Sequence, residues 1–267
     1  MRKIFLVCLV IAALPCFAQQ SNTSYPQSKS QIKKEKKKEK IDSLVRQEEQ
    51  GVINYTKQTD FGVKLVSDGY SLFMDIGRAK SIKRSVLYQV EIGERKSPKE
   101  YKQNPGNPSF SPIILGKENF VYYLKMGAQE QYLLANKANK NGVNITCNIG
   151  GGISLAILRP YEYQAIDSTD GSVKYVQFST LLTNPNLFYL GGPSLGQGWE
   201  DLSLTPGLYG KAALRFDYGH YTKTVTALEI GVSGEYYTKK IPIVYGSDPQ
   251  QFFLTAFVDV LFGWRKK

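Results

Sequence analysis

Apolar and polar residues alternate along eight stretches of this chain, at approximately 59–67, 70–79, 85–96, 118–128, 143–158, 207–218, 224–237 and 251–265. In the last, Phe252, Leu254, Ala256, Val258, Val260, Phe262 and Trp264 share one face. The other face holds Phe253, Thr255, Phe257, Asp259, Leu261, Gly263 and Arg265. A period of two is that of a strand, whose successive side chains point to opposite sides. The same division recurs at 224–237, where Leu228, Ile230, Val232 and Tyr236 oppose Glu229, Gly231, Ser233 and Glu235. One face is large and branched, while the other is small or charged. A soluble barrel has an oily interior, so this pattern fits a barrel turned inside out, with its oily face toward lipid.

The even strand count and the spacing of connections point the same way. An outer-membrane barrel begins and ends in the periplasm, so its connections alternate between outside loops and short periplasmic turns. The segments 80–84, 129–142 and 219–223 fall at turn positions, with Gln129–Ala135 read as a prolongation of the fourth strand. The longer segments 97–117, 159–206 and 238–250 fall at outside positions, and Asp68-Gly69 is a tight first hairpin. The expected fold is therefore all-β: an antiparallel transmembrane β-barrel of about eight strands, preceded by a short helical or disordered N-terminal arm. The corresponding division is 1–18 signal peptide, 19–58 basic periplasmic arm and 59–267 barrel.

The inward face is expected to hold Lys64, Asp75, Glu91, Lys125, Lys211, Arg215, Asp217, Glu229, Glu235, Asp259 and Arg265. An eight-stranded barrel is just wide enough for side chains to fill. An unpartnered buried charge is costly, so these groups should form an ion-pair network that plugs the lumen. Tyr122, Tyr123, Tyr218, Tyr221, Tyr236, Tyr237, Phe262 and Trp264 lie near strand ends and predict an interfacial girdle. In the long loop 159–206, Arg159–Phe178 reads as a protruding hairpin with its turn at Asp170-Gly171, and Asn184–Trp199 as an irregular cap. Its aromatic residues Tyr161, Tyr163, Tyr175, Phe188, Tyr189 and Trp199 are the outer-loop recognition candidates; the same loop could serve only as a lid.

At the front, Arg2 and Lys3 precede an apolar run Ile4–Leu14, and Cys16-Phe17-Ala18 supplies small residues at the cleavage positions. This reads as a secretory signal peptide cut after Ala18. Lipidation at Cys16 fits less well, because Leu14-Pro15 precedes the cysteine. Without residues 1–18, Cys147 is the remaining cysteine, so an internal disulfide is not expected. Lys+Arg 34 and Asp+Glu 23 become 32 and 23 after removal of two bases, a balance of +9. Lys29–Lys40 alone holds seven lysines and two glutamates, +5. Such a run is a solvated tail or a contact for cell-wall carboxylates or anionic lipid. Outer-membrane lipid is the expected partner of the barrel, nucleic acid is not expected, and no protein partner is indicated.

Candidate chemistry is sparse. The single histidine, His220, falls in a turn at the expected periplasmic end, away from where an outer-membrane lipid-modifying enzyme works. No Cys/His spacing suits a metal, no cofactor is expected, and the glycine-rich run Gly191–Gly198 lacks the lysine and following helix of a phosphate loop. No catalytic residue is assigned. An alternative reading is a soluble periplasmic barrel with an apolar ligand, which requires Phe216, Ile230 and Val258 to face a cavity.

Leu208–Tyr218, Ala227–Val232 and Lys240–Ile243, with Asn139–Val143 and Leu158–Tyr161, resemble uncharacterised outer-membrane β-barrel proteins of Bacteroidetes-type bacteria. The resemblance covers about residues 60–267. It implies a fold and a location, and no activity.

Overall fold

The computed structural model describes residues 55–81, 83–104, 111–136, 142–194, 196–219 and 223–266, together with Lys36, Lys38 and Glu39. The chain divides into two units, Met1–Leu44 and Val45–Lys267. In the first, the three described residues are helical and exposed. The expected signal peptide, with Cys16, and the rest of the basic run Lys29–Lys40 lie outside the described residues. So do His220 and Tyr221.

The second unit is a barrel whose wall comprises β1 (Lys57–Val66), β2 (Gly69–Ala79), β3 (Arg84–Arg95), β6 (Asn119–Ala135), β7 (Asn144–Pro160), β11 (Ser203–Asp217), β12 (Thr224–Ile241) and β13 (Gln250–Lys266). Each strand pairs antiparallel with its neighbour, in the order β1-β13-β12-β11-β7-β6-β3-β2, and β2 returns to β1. Closure is made by the first and last strands, from Lys57 opposite Lys266 to Val66 opposite Phe257. The short strands β4 (Lys102–Gln103), β5 (Ile113–Ile114), β8 (Tyr163–Asp167), β9 (Val173–Val176) and β10 (Leu187–Gly191) lie in the connections. Both ends of the wall, Lys57 and Lys266, meet at one end of the barrel, and the long connections gather at the other.

Alternation decides which side chains face out. Leu65, Leu208 and Leu254 are 66%, 65% and 71% exposed, whereas Asp75 and Glu229 are fully buried. The outer wall is apolar on every strand: Val63, Leu72, Val90, Met126, Ile153, Leu214, Ile230 and Val258 are all exposed. Phe216 also lies on the outer face of β11, so Phe216, Ile230 and Val258 do not line a cavity. That outcome removes the observation on which a soluble apolar carrier depended. Among the described residues no helix is long and apolar enough to cross a membrane, which says nothing of a β-barrel.

Several expectations need correction. Tyr123 and Tyr237 are not girdle residues; both are buried inside the barrel, one position out of phase with Tyr122 and Tyr236. Tyr218, Tyr236, Phe262 and Trp264 do stand on the outer surface. The inward face is also less purely polar than the pattern suggested. Phe73, Leu87, Tyr209, Phe253, Phe257 and Leu261 are buried among the charges. The first strand starts at Lys57 rather than 59, and the fourth strand does run on to Ala135. β7, β11 and β12 also extend further toward the long connections, to Pro160, from Ser203 and to Ile241. A tilted crossing needs about 9–11 residues. Beyond it, hydrogen bonding to the neighbour continues while the apolar outer face is no longer demanded, so alternation loses its contrast.

Inward glycines make room for the large inward rings. A Cβ on Gly93 would come within 2.6 Å of the Tyr123 ring and of the Tyr70 carbonyl oxygen. On Gly234, which stands on the outer face of β12, the nearest atoms would be 3.7 Å away, an ordinary contact. Gly93→Ala should therefore destabilise the barrel by about 1–3 kcal/mol, and Gly234→Ala should be nearly neutral. Urea unfolding in detergent micelles, followed by tryptophan fluorescence, measures both.

Candidate functional site

The inward residues of neighbouring strands fall in register, which places opposite charges side by side. Arg215 on β11 is the direct cross-strand partner of Glu229 on β12. Its Nε donates to Glu229 at 2.8 Å, Nη1 to Asp60 at 3.1 Å and Nη2 to Asp75 at 3.0 Å. One guanidinium thus joins carboxylates from three strands, using the fork geometry that favours arginine over lysine here. Lys211, two inward positions along, adds a second cation to Glu229 at 3.1 Å. Asn148 donates to the same carboxylate at 2.7 Å, and Gln129 to Asp75 at 3.3 Å.

A second group lies toward the long connections. Lys64 meets Glu91 at 2.5 Å, and Lys125 spans Glu91 and Glu235 at 3.5 and 2.8 Å. Arg95 continues the chain, with Nη2 on Glu235 at 2.8 Å and Nε on Asp68 at 2.5 Å. Aromatic faces complete the solvation of these cations: Lys64 stands 4.5 Å from the Phe257 ring centre, and Arg95 4.1 Å from that of Phe253. A third pair, Arg265 and Asp217 at 2.5 Å, lies near the end that carries both wall termini. Gln58 ties it to the central group by accepting from Arg265 at 2.9 Å and donating to Asp60 at 2.5 Å.

Among the described residues, all of the expected inward set except Asp259 is therefore ion-paired. That carboxylate is buried opposite Lys64 on one side and Glu229 on the other. Neither oxygen has a hydrogen-bond partner among the described residues. Its natural cation is engaged elsewhere, because Lys64 turns to Glu91 and to two aromatic rings. Asp60, Asp68, Arg95 and Gln58 were not among the expected residues. Parity alone could have found Asp60, two inward positions before Lys64, and Arg95, two after Glu91.

The other candidate region is the cap at the opposite end, which is more ordered than expected. The hairpin of β8 and β9 turns at Asp170-Gly171, with Gly171 at φ 68°. The segment Asn184–Trp199, expected to be irregular, contains β10, which adds to β8 as a third strand, and a helix, Phe178–Thr183, stands just before it. The three long connections bond to one another. Gly192 donates to Ser111, Tyr161 to Glu118, Tyr245 to Gly116 and Glu118 to Ile243 through backbone groups. Beneath them lies a small core of Ile113, Tyr161 and Tyr163, flanked by Phe120, Phe178 and Leu181.

This divides the recognition candidates. Tyr161 and Tyr163 are buried and serve the cap itself. The Tyr161 hydroxyl accepts from the Ile114 N–H at 3.0 Å, and the Tyr163 hydroxyl donates to the Ile114 carbonyl at 2.7 Å. Burial raises both phenols above their ordinary range. Tyr175, Phe188, Tyr189 and Trp199 remain exposed, although Trp199 stacks on Tyr122 with ring centres 6.0 Å apart. Lys117 was missed: it is buried at the cap base, 2.8 Å from Glu100, and burial lowers the pKa of its ammonium despite that partner.

Among the described residues, no group of three His, Cys, Asp or Glu side chains could hold a metal ion. Cys147 is a free thiol.

No family model matches the chain, and no curated protein matches it. Among solved structures, it is similar to Neisserial surface protein A at 10% identity, with a TM-score of 0.42 over 78% of this chain and 95% of that one. The N-terminal β-barrel domain of Pseudomonas aeruginosa OprF gives 9% identity and a TM-score of 0.36 over 79% and 99%. Ail, the attachment invasion locus protein of Yersinia pestis, gives 10% and 0.35 over 78% and 96%.

Removing Arg215 would leave Asp60 and Asp75 without an ion-pair partner among the described residues and Glu229 with Lys211 alone. Arg215→Gln should cost about 3–5 kcal/mol, whereas Arg84→Gln, at an exposed pair with Glu130, should leave the urea midpoint unchanged. In the cap hairpin, the hydrogen bond from Lys174 lowers the pKa of Asp167 to about 2 from 3.8. A lowered carboxylate pKa means that the pair's support is complete above about pH 4 and is lost as pH falls through about 2. Amide exchange at Thr169, whose N–H donates to Asp167, should therefore be flat from pH 7 to 4, after correction for intrinsic rate, and rise below that.

Proposed function

We propose that this chain is an integral outer-membrane barrel, a structural or interaction module rather than a pore. The reading rests on one observation, the inverted sidedness of the wall. Exposed apolar side chains occupy every wall strand, and the ion-pair network around Arg215 is inside. Monomeric soluble proteins rarely expose so large a contiguous apolar surface, and lipid supplies the missing partner. The closed ladder supports the same conclusion, because an open sheet edge cannot be satisfied in hydrocarbon.

In an outer-membrane barrel the termini and short turns face the periplasm. The capped end then faces outward, and Tyr175, Phe188 and Tyr189 form the displayed surface. The paired charges and the rings beside them fill the interior and plug it. Lys29–Lys40 is proposed as a contact for anionic lipid or cell-wall carboxylates. No residue is assigned a catalytic role.

Four measurements test this reading. The protein should fractionate with outer membranes and migrate anomalously on gels unless boiled. Purified protein in planar bilayers should give no large, stable single-channel steps; regular openings would sink the plugged reading. Ile230→Lys, on the outer wall, should cost up to about 2–4 kcal/mol of stability in a bilayer, while Leu182→Lys, on the cap helix, should insert normally. A soluble exported pool of the unaltered protein would overturn the location.

A further inference from the structure

The capped end carries a cleft of about 230 Å³ between the first hairpin, the segment after β3 and the turn between β12 and β13. Its lining includes Arg95, Lys96 and Lys99, with Asp68 and Asp248 as the acids. Ile243, Val244 and Phe253 supply an apolar wall. Water's share of liquid volume is about 30 Å³, so the space exceeds that of a single bridging water.

Arg95 makes this cleft more than a gap between loops. The side chain is 1% exposed. Two of its nitrogens are committed, Nε to Asp68 and Nη2 to Glu235. Nη1 is buried and has no hydrogen-bond partner among the described residues. A guanidinium cannot release its proton to escape that situation, so the buried donor calls for an acceptor. Glu235 is already shared with Lys125 at 2.8 Å, which leaves less of its charge to offset Arg95. At the rim, Lys99 reaches across to the Ser247 hydroxyl at 3.0 Å and has no carboxylate within salt-bridge distance among the described residues. Lys96 stands half exposed, 4.0 Å from Glu94. Asp248 is exposed at the rim and has no ion pair among the described residues.

We infer that this cleft binds a small organic oxyanion, a carboxylate or phosphate monoester joined to a short apolar group. The head group accepts from Arg95 Nη1 and from the Lys99 ammonium in place of the Ser247 contact, and the apolar part lies on Ile243 and Phe253. Asp248 opposes a second negative charge at the rim, which favours a compact head over a polyanion. The site is independent of which compartment the cap faces. A dissolved metabolite and a phosphate-bearing lipid head group share this chemistry, and the test separates them.

The experiment uses the full chain in non-ionic detergent micelles, titrated calorimetrically with phenyl phosphate, benzoate and, as the neutral control, benzyl alcohol. One saturable site for at least one anion is expected, with benzyl alcohol at least about tenfold weaker, the scale of a lost charge-assisted hydrogen bond. Lys99→Gln should weaken the anion about tenfold, and Arg95→Gln should abolish binding. Arg95→Gln also leaves Asp68 without its cation and Glu235 with Lys125 alone, so the exposed double variant Lys96→Gln/Lys99→Gln carries the test if the arginine variant fails to fold. A second arm places the chain in phosphatidylcholine nanodiscs with or without phosphatidic acid. Competition by phosphatidic acid identifies a lipid source, and undiminished binding of phenyl phosphate identifies a free solute. Absence of saturable binding by both anions, or equal binding to the double variant, overturns the inference and leaves the cleft as a solvent-filled mouth.

Discussion

A charge buried in a narrow barrel must find its partner inside that barrel, and this constraint organises the molecule. The wall spends its apolar residues on the outside, so the interior cannot be filled with oil in the way of a soluble core. It is filled instead with carboxylates, cations and aromatic rings in fixed register. Arg215 is the centre of this arrangement, since three of its nitrogens meet carboxylates on three different strands. A buried ion pair is weak evidence for stability when compared with an apolar replacement, but breaking one is costly. Here the pairs also select register: a slip of one residue would turn Arg215 and Glu229 outward and bring Leu214 and Ile230 in.

The wall was legible in the sequence because its signal is binary. Each strand asks only for apolar or not at alternate positions, and the apolar outer face repeats the same answer on all eight wall strands. Sidedness at Lys64, Arg215, Glu229 and Asp259 followed from parity. The identity of each partner did not, because pairing across the lumen depends on strand order and side-chain reach as well as on facing. Asp259 illustrates this. Its neighbour Lys64 was free to choose, and it chose Glu91 together with two rings. Tyr123 and Tyr237 were assigned to a girdle from their residue type, although their phase already placed them inside.

The cap was legible in part. A hairpin around Asp170-Gly171 has a local turn signal, and it is present. The helix Phe178–Thr183 and strand β10 have none as strong. They exist because connections far apart in sequence close over one small core, where Ile113, Tyr161 and Tyr163 meet. Aromatic residues in an exposed loop look like recognition residues until such a core is seen. Burial then separates the structural pair, Tyr161 and Tyr163, from the exposed group at Tyr175, Phe188 and Tyr189. The cleft beside the cap was invisible for the same reason, since Asp68, Lys99 and Ser247 are brought together only by closure.

The seam between β1 and β13 has a consequence for how the chain reaches this state. Its ten cross-strand partners join Lys57–Val66 to Phe257–Lys266, the widest separation in sequence of any pairing in the wall. Loop-closure entropy must be met before such a pairing yields its hydrogen bonds, and high contact order slows folding. Until the last strand is in place, β1 and β12 each present a row of unmatched N–H and C=O groups. The C-terminal strand is thus the closing stave of the cylinder: a chain cut before Gln250 keeps most of its hairpins and has two open edges for aggregation.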